Sequence, residues 1–219
     1  MIAYALQILN LLAAILLLLT FAMLGQRRIL SLIHLFTLHG ATLVAAALVV
    51  AYVTNDIHLY VSAALTFVLK VILIPWILHK LIVRLNVKWD VESLINVPAT
   101  MLIGIVLVII AFNLALPIAR LSASVAHGTL GIALACILLS LMMMITRSKA
   151  VPQVIGFLSM ENGLFFAATA ATSGMPMIVE LGVALSVLGG ILIMGVFLFQ
   201  IREQFENMDI HNLENLKEE

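Results

Sequence analysis

The chain is poor in cysteine and in charge. It has one cysteine, Cys136, in 219 residues, which excludes an internal disulfide and any CxxC-type metal or cluster motif. Only 10% of the residues are charged and the formal net charge is zero, so nucleic-acid binding has no electrostatic support. Hydrophobic residues make up 64% of the chain, and the mean hydropathy is +1.22. Since soluble domains carry about 25% charged residues, this composition predicts an integral membrane protein.

The sequence also lacks recognisable catalytic machinery. It contains no Walker motif, no nucleophile–base constellation and no pair of axial histidines at the depths that haem needs. His34 and His39 are five residues apart, so on a helix they point about 140° away from each other, which disfavours a helical metal site. We therefore expect no catalytic residue, no metal site and no cofactor in this chain. A channel, a transporter subunit or one part of a larger machine fits these absences.

Long apolar runs fill most of the sequence. A helix needs about 20 apolar residues to cross the hydrocarbon core of a bilayer, and seven segments reach that length. They predict an all-α, polytopic membrane bundle with seven transmembrane helices, over residues 1–24, 29–53, 59–83, 97–116, 122–145, 152–172 and 178–201. The first segment is longer than a signal-peptide core and has no basic start, so we expect it to stay in the protein as a membrane span.

The basic residues lie almost entirely on one side of these predicted spans. Only Arg120 falls on the other side. Because Lys and Arg accumulate on the cytoplasmic side of membrane proteins, we expect the N-terminus outside and the C-terminus in the cytoplasm. The basic side carries Arg27, Arg28, Lys80, Arg84, Lys88, Arg147, Lys149, Arg202 and Lys217.

The longest basic-side connection, which ends near Asn96, divides the spans into two groups. We expect a three-helix lobe over residues 1–96 and a four-helix lobe over residues 97–201. Residues 202–219 are predicted to form an acidic cytoplasmic tail with a weak apolar stripe. This tail is either simply solvated or docks on a partner at the cytoplasmic face.

The segment Gly-Phe-Leu-Ser-Met-Glu-Asn-Gly-Leu-Phe-Phe, residues 156–166, is the most informative part of the chain. It places the carboxyl group of Glu161 and the amide of Asn162 near the middle of the predicted sixth span. A carboxylate at that depth costs several kcal/mol unless it is protonated, paired or hydrated, and such residues commonly lie on proton or ion paths. We therefore take Glu161 as a candidate proton carrier, with Asn162 as its supporting neighbour.

Two further titratable residues share this depth. Lys70 lies eleven residues into the third span, His39 ten residues into the second, and Glu161 nine residues past Pro152. At about 1.5 Å per residue, all three fall near the bilayer centre. A lateral proton relay needs such groups at one level. Alternatively, Lys70 and Glu161 form a static ion pair that fixes helix packing, and His39 is a neutral histidine hydrogen-bonded between helices.

Two other residues are secondary candidates. Pro75 clashes with the carbonyl group of Val71, four residues earlier, so it predicts a kinked third span beside Lys70. The freed carbonyl could hold a water molecule near the ammonium group, or the kink could serve packing alone. Glu180, toward the outer end of the predicted seventh span, either belongs to the proton path or pairs with Arg120.

Arg147 and the 156–162 segment resemble part of NuoK, the small three-helix subunit of respiratory complex I, and its antiporter counterpart MrpC. Those subunits have a basic turn followed by a Gly-Leu-Glu-type segment that leads to an Asn. The resemblance covers residues 122–201. In this chain Leu158 stands where NuoK has its carboxylate, and Glu161 comes about one helical turn later. The middle of span seven offers Ser186 and glycines in place of NuoK's third-span carboxylate.

Nearly the whole chain, including Lys70 and the Ile74-Pro75-Trp76 segment, resembles component E of hydrogenase-4 and formate hydrogenlyase complexes (HyfE). The resemblance implies a non-catalytic subunit in the membrane arm of an energy-converting [NiFe]-hydrogenase, in a prokaryotic inner membrane. It implies antiporter-like and NuoH-like partners and a cytoplasmic hydrogenase arm that holds a nickel–iron centre and iron–sulfur clusters. A subunit of a Mrp-type cation/proton antiporter and a structural scaffold between antiporter-like subunits are the alternatives.

Overall fold

The computed structural model describes residues 2–84, 95–121 and 127–172, and this part of the chain is helical apart from the short connections between its elements. Its elements are α1 (Ile2–Gly25), α2 (Ile29–Thr54), α3 (Ile57–Thr66), a π-helical segment (Phe67–Leu73), α4 (Ile74–Arg84), α5 (Val97–Leu121), α6 (His127–Thr146) and α7 (Ala150–Thr172). The predicted seventh span, Glu180 and the predicted tail over residues 202–219 lie outside the described residues.

Five helices of the described part are long and apolar enough to cross a membrane. They cover Tyr4–Gly25, Ile29–Thr54, Ile57–Lys80, Val97–Pro117 and Thr129–Thr146. These five agree in position with the first five predicted spans. Helix α7 coincides with the predicted sixth span and is 23 residues long, but it is not one of the five. The described elements are thus all helices, as a multi-pass membrane protein requires, and the count of seven spans and the orientation of the chain ends stay predictions.

The third span is interrupted where the sequence predicts a kink. The π-helical segment, seven residues long, lies between α3 and α4 and ends just before Pro75. Proline has no N–H and its ring crowds the carbonyl group four residues earlier, so α-helical hydrogen bonding cannot continue there. The backbone N–H of Ile74 instead donates to the carbonyl of Leu69, five residues back, as in a π-turn. The helix therefore widens, which the sequence did not indicate.

Short turns bring consecutive helices into antiparallel contact. After α2, Asn55 takes a left-handed conformation (φ 54°, ψ 34°) and Asp56 caps α3 by accepting a hydrogen bond from the N–H of His58. Asn tolerates this conformation better than most residues, so it fits a turn of this kind. Helices α6 and α7 pack closely, and α1 and α2 also contact α6 and α7, respectively. Helices of the two predicted lobes therefore pack against one another.

The bundle interior is layered. One apolar cluster lies toward the end that carries the α1–α2 and α6–α7 turns, and a second lies farther along the same helices. The first includes Met23, Leu24, Leu32, Phe36, Ile74, Leu78, Leu139, Ile155 and Leu158, and the second includes Ala13, Leu16, Leu43, Ala47, Ala63, Cys136, Phe165 and Phe166. On each of α1, α2, α7 and the interrupted third span, a buried polar residue lies between the two clusters. These residues form the candidate site.

Candidate functional site

A charged pair occupies the centre of the bundle. The Nζ atom of Lys70, in the π-helical segment, lies 2.8 Å from Oε1 of Glu161 on α7, and the two side chains are only 4% and 13% exposed. Lys70 is buried, whereas the other side chains of the π-helical segment are exposed or half-buried. The π-turn therefore directs one polar side chain into the bundle and leaves apolar side chains outside.

Two more groups of α7 contact the ammonium group of Lys70. Its Nζ donates a hydrogen bond of 2.9 Å to Oδ1 of Asn162. The ring of Phe165 lies 5.8 Å from Nζ, within the range of a cation–π interaction. A carboxylate, a carbonyl and an aromatic face thus surround the cation. Oε2 of Glu161 is buried and has no hydrogen-bond partner within the described ranges.

The polar contacts continue from Asn162 toward α1. Nδ2 of Asn162 lies 3.1 Å from Nδ1 of His39, which is fully buried on α2. Nε2 of His39 lies 3.2 Å from Oγ1 of Thr20 on α1. The hydroxyl group of Thr20 donates to the carbonyl of Leu16, one turn earlier in its own helix. A continuous series of polar contacts therefore crosses the bundle from α7 to α1. We call its members the polar layer: Glu161, Lys70, Asn162, His39 and Thr20.

Apolar clusters lie on both sides of the polar layer, so its polar contacts run across the bundle and not along the helix axes. Along every helix that contributes to it, apolar side chains precede and follow the polar residue. The side chains of both clusters are apolar and disfavour a charge that moves along the helix axes. Within the described part, hydrogen-bonding groups connect across the bundle, from one helix to the next.

Close packing of α6 against α7 holds Glu161 in place. Hydroxyl groups of Ser140 and Ser159 form a 2.8 Å hydrogen bond between these helices. A Cβ atom at Gly156 would lie 3.2 Å from the carbonyl oxygen of Ser140, and one at Gly163 would lie 3.3 Å from the backbone nitrogen of Ile137. Both glycines of the 156–166 segment therefore permit backbone contact that a side chain would prevent.

A second buried cation lies at the basic end of the bundle. Arg147, in the α6–α7 turn, is 1% exposed, and its Nη2 donates to the carbonyl of Leu24 in the last turn of α1. A cation at a helix C-terminus satisfies a free carbonyl and is favoured by the helix dipole. Burial lowers the pKa of the Arg147 guanidinium from its usual value. The contact places the α1–α2 and α6–α7 turns side by side, so their basic residues share one end of the bundle.

The structure brings most of the sequence-predicted site residues together. Direct contacts join Lys70 to Glu161 and to Asn162, and Asn162 in turn contacts His39. Pro75 lies just beyond the end of the π-turn that carries Lys70. Glu180 lies outside the described residues. Among the residues that are described, no three His, Cys, Asp or Glu side chains converge as metal ligands do.

Sequence reasoning missed Thr20. A lone threonine in a membrane helix often bonds to its own backbone, as this one does, so its type carries little information. By residue counting it also lies closer to the helix end than His39 does, five residues before Gly25 against ten after Ile29. Its role in the polar layer becomes visible only when α1 is packed against α2.

Sequence comparison finds relatives that match most of the chain. The chain is 30% identical over 194 residues to the uncharacterized protein Rv0085 of Mycobacterium tuberculosis, covering 88% of both chains. It is 25% identical over 162 residues to hydrogenase-4 component E of Escherichia coli K12 and of Shigella flexneri, covering 73% of this chain and 74% of each relative. No protein-family model and no solved structure matches it. The chain therefore belongs to the family of the mycobacterial protein Rv0085 and is a distant homologue of hydrogenase-4 component E.

Proposed function

We propose that the chain is a non-catalytic membrane subunit of a hydrogenase-type complex, in which its polar layer forms part of a lateral proton path. Distant homology to hydrogenase-4 component E supports the complex. The buried Lys70–Glu161 pair, 2.8 Å apart and continued by hydrogen bonds to α1, is the observation that supports the path. Buried charges seldom add net stability, so their presence in a membrane bundle points to a role beyond packing.

Glu161 acts as the proton carrier in this proposal, and Lys70 is its charge partner. The positive charge of Lys70 lies 2.8 Å from the carboxylate of Glu161 and compensates its negative charge while the two groups stay in contact. The two oxygens of the carboxylate have different tasks. Oε1 binds Lys70, while Oε2 has no hydrogen-bond partner in the described part and can take up the proton.

The complex that we propose is an energy-converting [NiFe]-hydrogenase in a prokaryotic inner membrane. This chain would lie in the membrane arm beside antiporter-like subunits and a NuoH-like subunit. A cytoplasmic hydrogenase arm would hold the nickel–iron centre and the iron–sulfur clusters. Complex I relatives with a NuoK-like subunit would use the same principle, with the carboxylate about one helical turn away.

The proposal is tested by replacing Glu161 in the assembled complex. Glu161→Gln keeps the size and polarity of the side chain but cannot carry a proton. We expect it to leave assembly and hydrogen chemistry in place and to reduce coupled proton translocation at least tenfold, measured in membrane vesicles with a pH-sensitive dye. Translocation at the wild-type rate would remove Glu161 from the path and leave a scaffold with a static ion pair.

Ser159→Ala is the matched control. Ser159 is buried two residues before Glu161 on the same helix, and its loss removes one interhelical hydrogen bond without changing charge. We expect this variant to translocate protons as the wild type does. A similar loss in both variants would attribute the effect to helix packing.

Mild-detergent purification separates the hydrogenase assignment from a Mrp-type antiporter. Mass spectrometry of co-purified proteins should identify hydrogenase large and small subunits together with antiporter-like subunits. Antiporter components alone would assign the chain to a cation/proton antiporter.

A further inference from the structure

The hydrogen bonds of the polar layer have a single possible direction. Because an ammonium group can only donate, the Asn162 atom at 2.9 Å from Lys70 must be the carbonyl oxygen. The amide nitrogen of Asn162 therefore faces His39, and since it also only donates, Nδ1 of His39 must be unprotonated. The imidazole proton then sits on Nε2.

The last two bonds follow the same direction. Nε2–H of His39 donates to Oγ1 of Thr20, and the hydroxyl hydrogen of Thr20 goes to the carbonyl of Leu16. Each group thus donates to the next, from Lys70 to α1, with no donor facing a donor. A positive charge on His39 would place a second N–H against the amide hydrogens of Asn162, so the arrangement requires neutral imidazole.

From this direction we infer that His39 and Thr20 are positioning residues, which keep the carbonyl of Asn162 turned toward Lys70. Thr20 accepts the Nε2–H bond and so holds the imidazole in one tautomer. That tautomer presents a bare Nδ1, which holds the amide of Asn162 in one orientation. The carbonyl then stabilises the ammonium group beside Glu161. His39 is consequently not a proton carrier, and its part in the path is to orient the group that binds Lys70.

The hydrogen-bond directions follow from the geometry alone, whereas their effect on proton translocation rests on the proposed function. Two measurements test the geometry and the effect separately. The first is solid-state ¹⁵N NMR of the full-length chain, labelled at histidine and reconstituted in lipid vesicles. His39 is assigned by its absence in His39→Asn. We expect one neutral Nε2–H tautomer in the wild type and a second, Nδ1–H population in Thr20→Val, because the imidazole then loses the acceptor that fixes its tautomer. A proton on Nδ1 in the wild type, or an unchanged tautomer in Thr20→Val, would overturn the inference.

The second measurement is proton translocation by the assembled complex. Thr20→Val removes the hydroxyl group at nearly constant volume, and loss of its hydrogen bond to His39 predicts about a fivefold lower rate. Thr20→Ser, which keeps the acceptor, should restore the rate to within about twofold of the wild type. Thr169→Val is the control, because Thr169 is also buried and bonded to the carbonyl four residues earlier but lies outside the polar layer.

The results discriminate between the two proposals. An unimpaired Glu161→Gln refutes the proton path while the NMR tautomer still decides the geometry. An impaired Glu161→Gln combined with a wild-type rate in Thr20→Val refutes the positioning role of Thr20 and His39. Equal losses in Thr20→Val and Thr20→Ser also refute it, since only the valine removes the acceptor.

Discussion

Apolar replacement of the central ion pair is expected to have strongly non-additive effects on stability. Removing one partner of a buried pair leaves the other charge without compensation and costs about 3–5 kcal/mol, whereas replacing both with apolar residues is often neutral or stabilising. Lys70→Met and Glu161→Leu, alone and combined, form the double-mutant cycle. Both side chains are large and nearly buried, so apolar residues of similar length can fill their space.

The geometry predicts that the two single replacements differ. Lys70→Met leaves the carboxylate of Glu161 with no described hydrogen-bond partner, so we expect the full cost of about 4 kcal/mol. Glu161→Leu leaves Lys70 bonded to Oδ1 of Asn162 and against the ring of Phe165. A hydrogen bond to a charged group contributes about 1.5–3 kcal/mol, so this variant should lose only about 2 kcal/mol. The double variant should lie within about 1 kcal/mol of the wild type.

The free energy of unfolding of the full-length chain, measured by reversible denaturation in lipid–detergent micelles, gives each corner of the cycle. Proton translocation by the complex is measured on the same variants. We expect the double variant to fold and assemble but not to translocate protons. Additive losses, or a greater loss in Glu161→Leu than in Lys70→Met, would refute the reasoning. Translocation by the double variant would show that the pair only supports packing.

Two further predictions concern packing and topology. Gly156→Ala should destabilise the chain by about 1–3 kcal/mol in the same unfolding assay, because its Cβ would approach the Ser140 carbonyl oxygen to 3.2 Å. Gly40→Ala is the control. Its nearest contact would be at 3.5 Å, so it should be neutral or slightly stabilising. A membrane-impermeant maleimide should label Thr54→Cys in intact cells and Arg27→Cys only after permeabilisation, while the wild type, whose Cys136 is buried, stays unlabelled. The reverse labelling pattern would invert the predicted orientation.

Residue counting could predict the level of the polar layer because the rise of a helix is regular. Counting residues puts His39, Lys70 and Glu161 near mid-span, and in the structure they belong to one series of contacts. Composition likewise predicted an all-helical membrane protein, since apolar runs of this length have few other uses. Neither argument needs knowledge of which faces meet.

Facing directions could not be obtained in the same way. The central place of Asn162, bonded to both Lys70 and His39, depends on how α7 is rotated against α2. The sequence does not predict the π-turn either, because Pro75 indicates a disturbed helix but does not select between a bend and a wider turn. Thr20 could not be predicted for two reasons. Threonine is an uninformative residue type in a membrane helix, and counting residues puts Thr20 nearer its helix end than His39.

The wider turn under Lys70 sets how the two halves of the third span face the rest of the bundle. A π-turn accommodates one residue more than an α-turn, and one residue corresponds to about 100° of rotation around the helix axis. Since Pro75 prevents α-helical hydrogen bonding from continuing there, α4 is rotated relative to α3 by about that angle from the position that an unbroken α-helix would give it. The third span can therefore present Lys70 and the buried side chains of Ile74, Leu78 and Ile82 to the same interior.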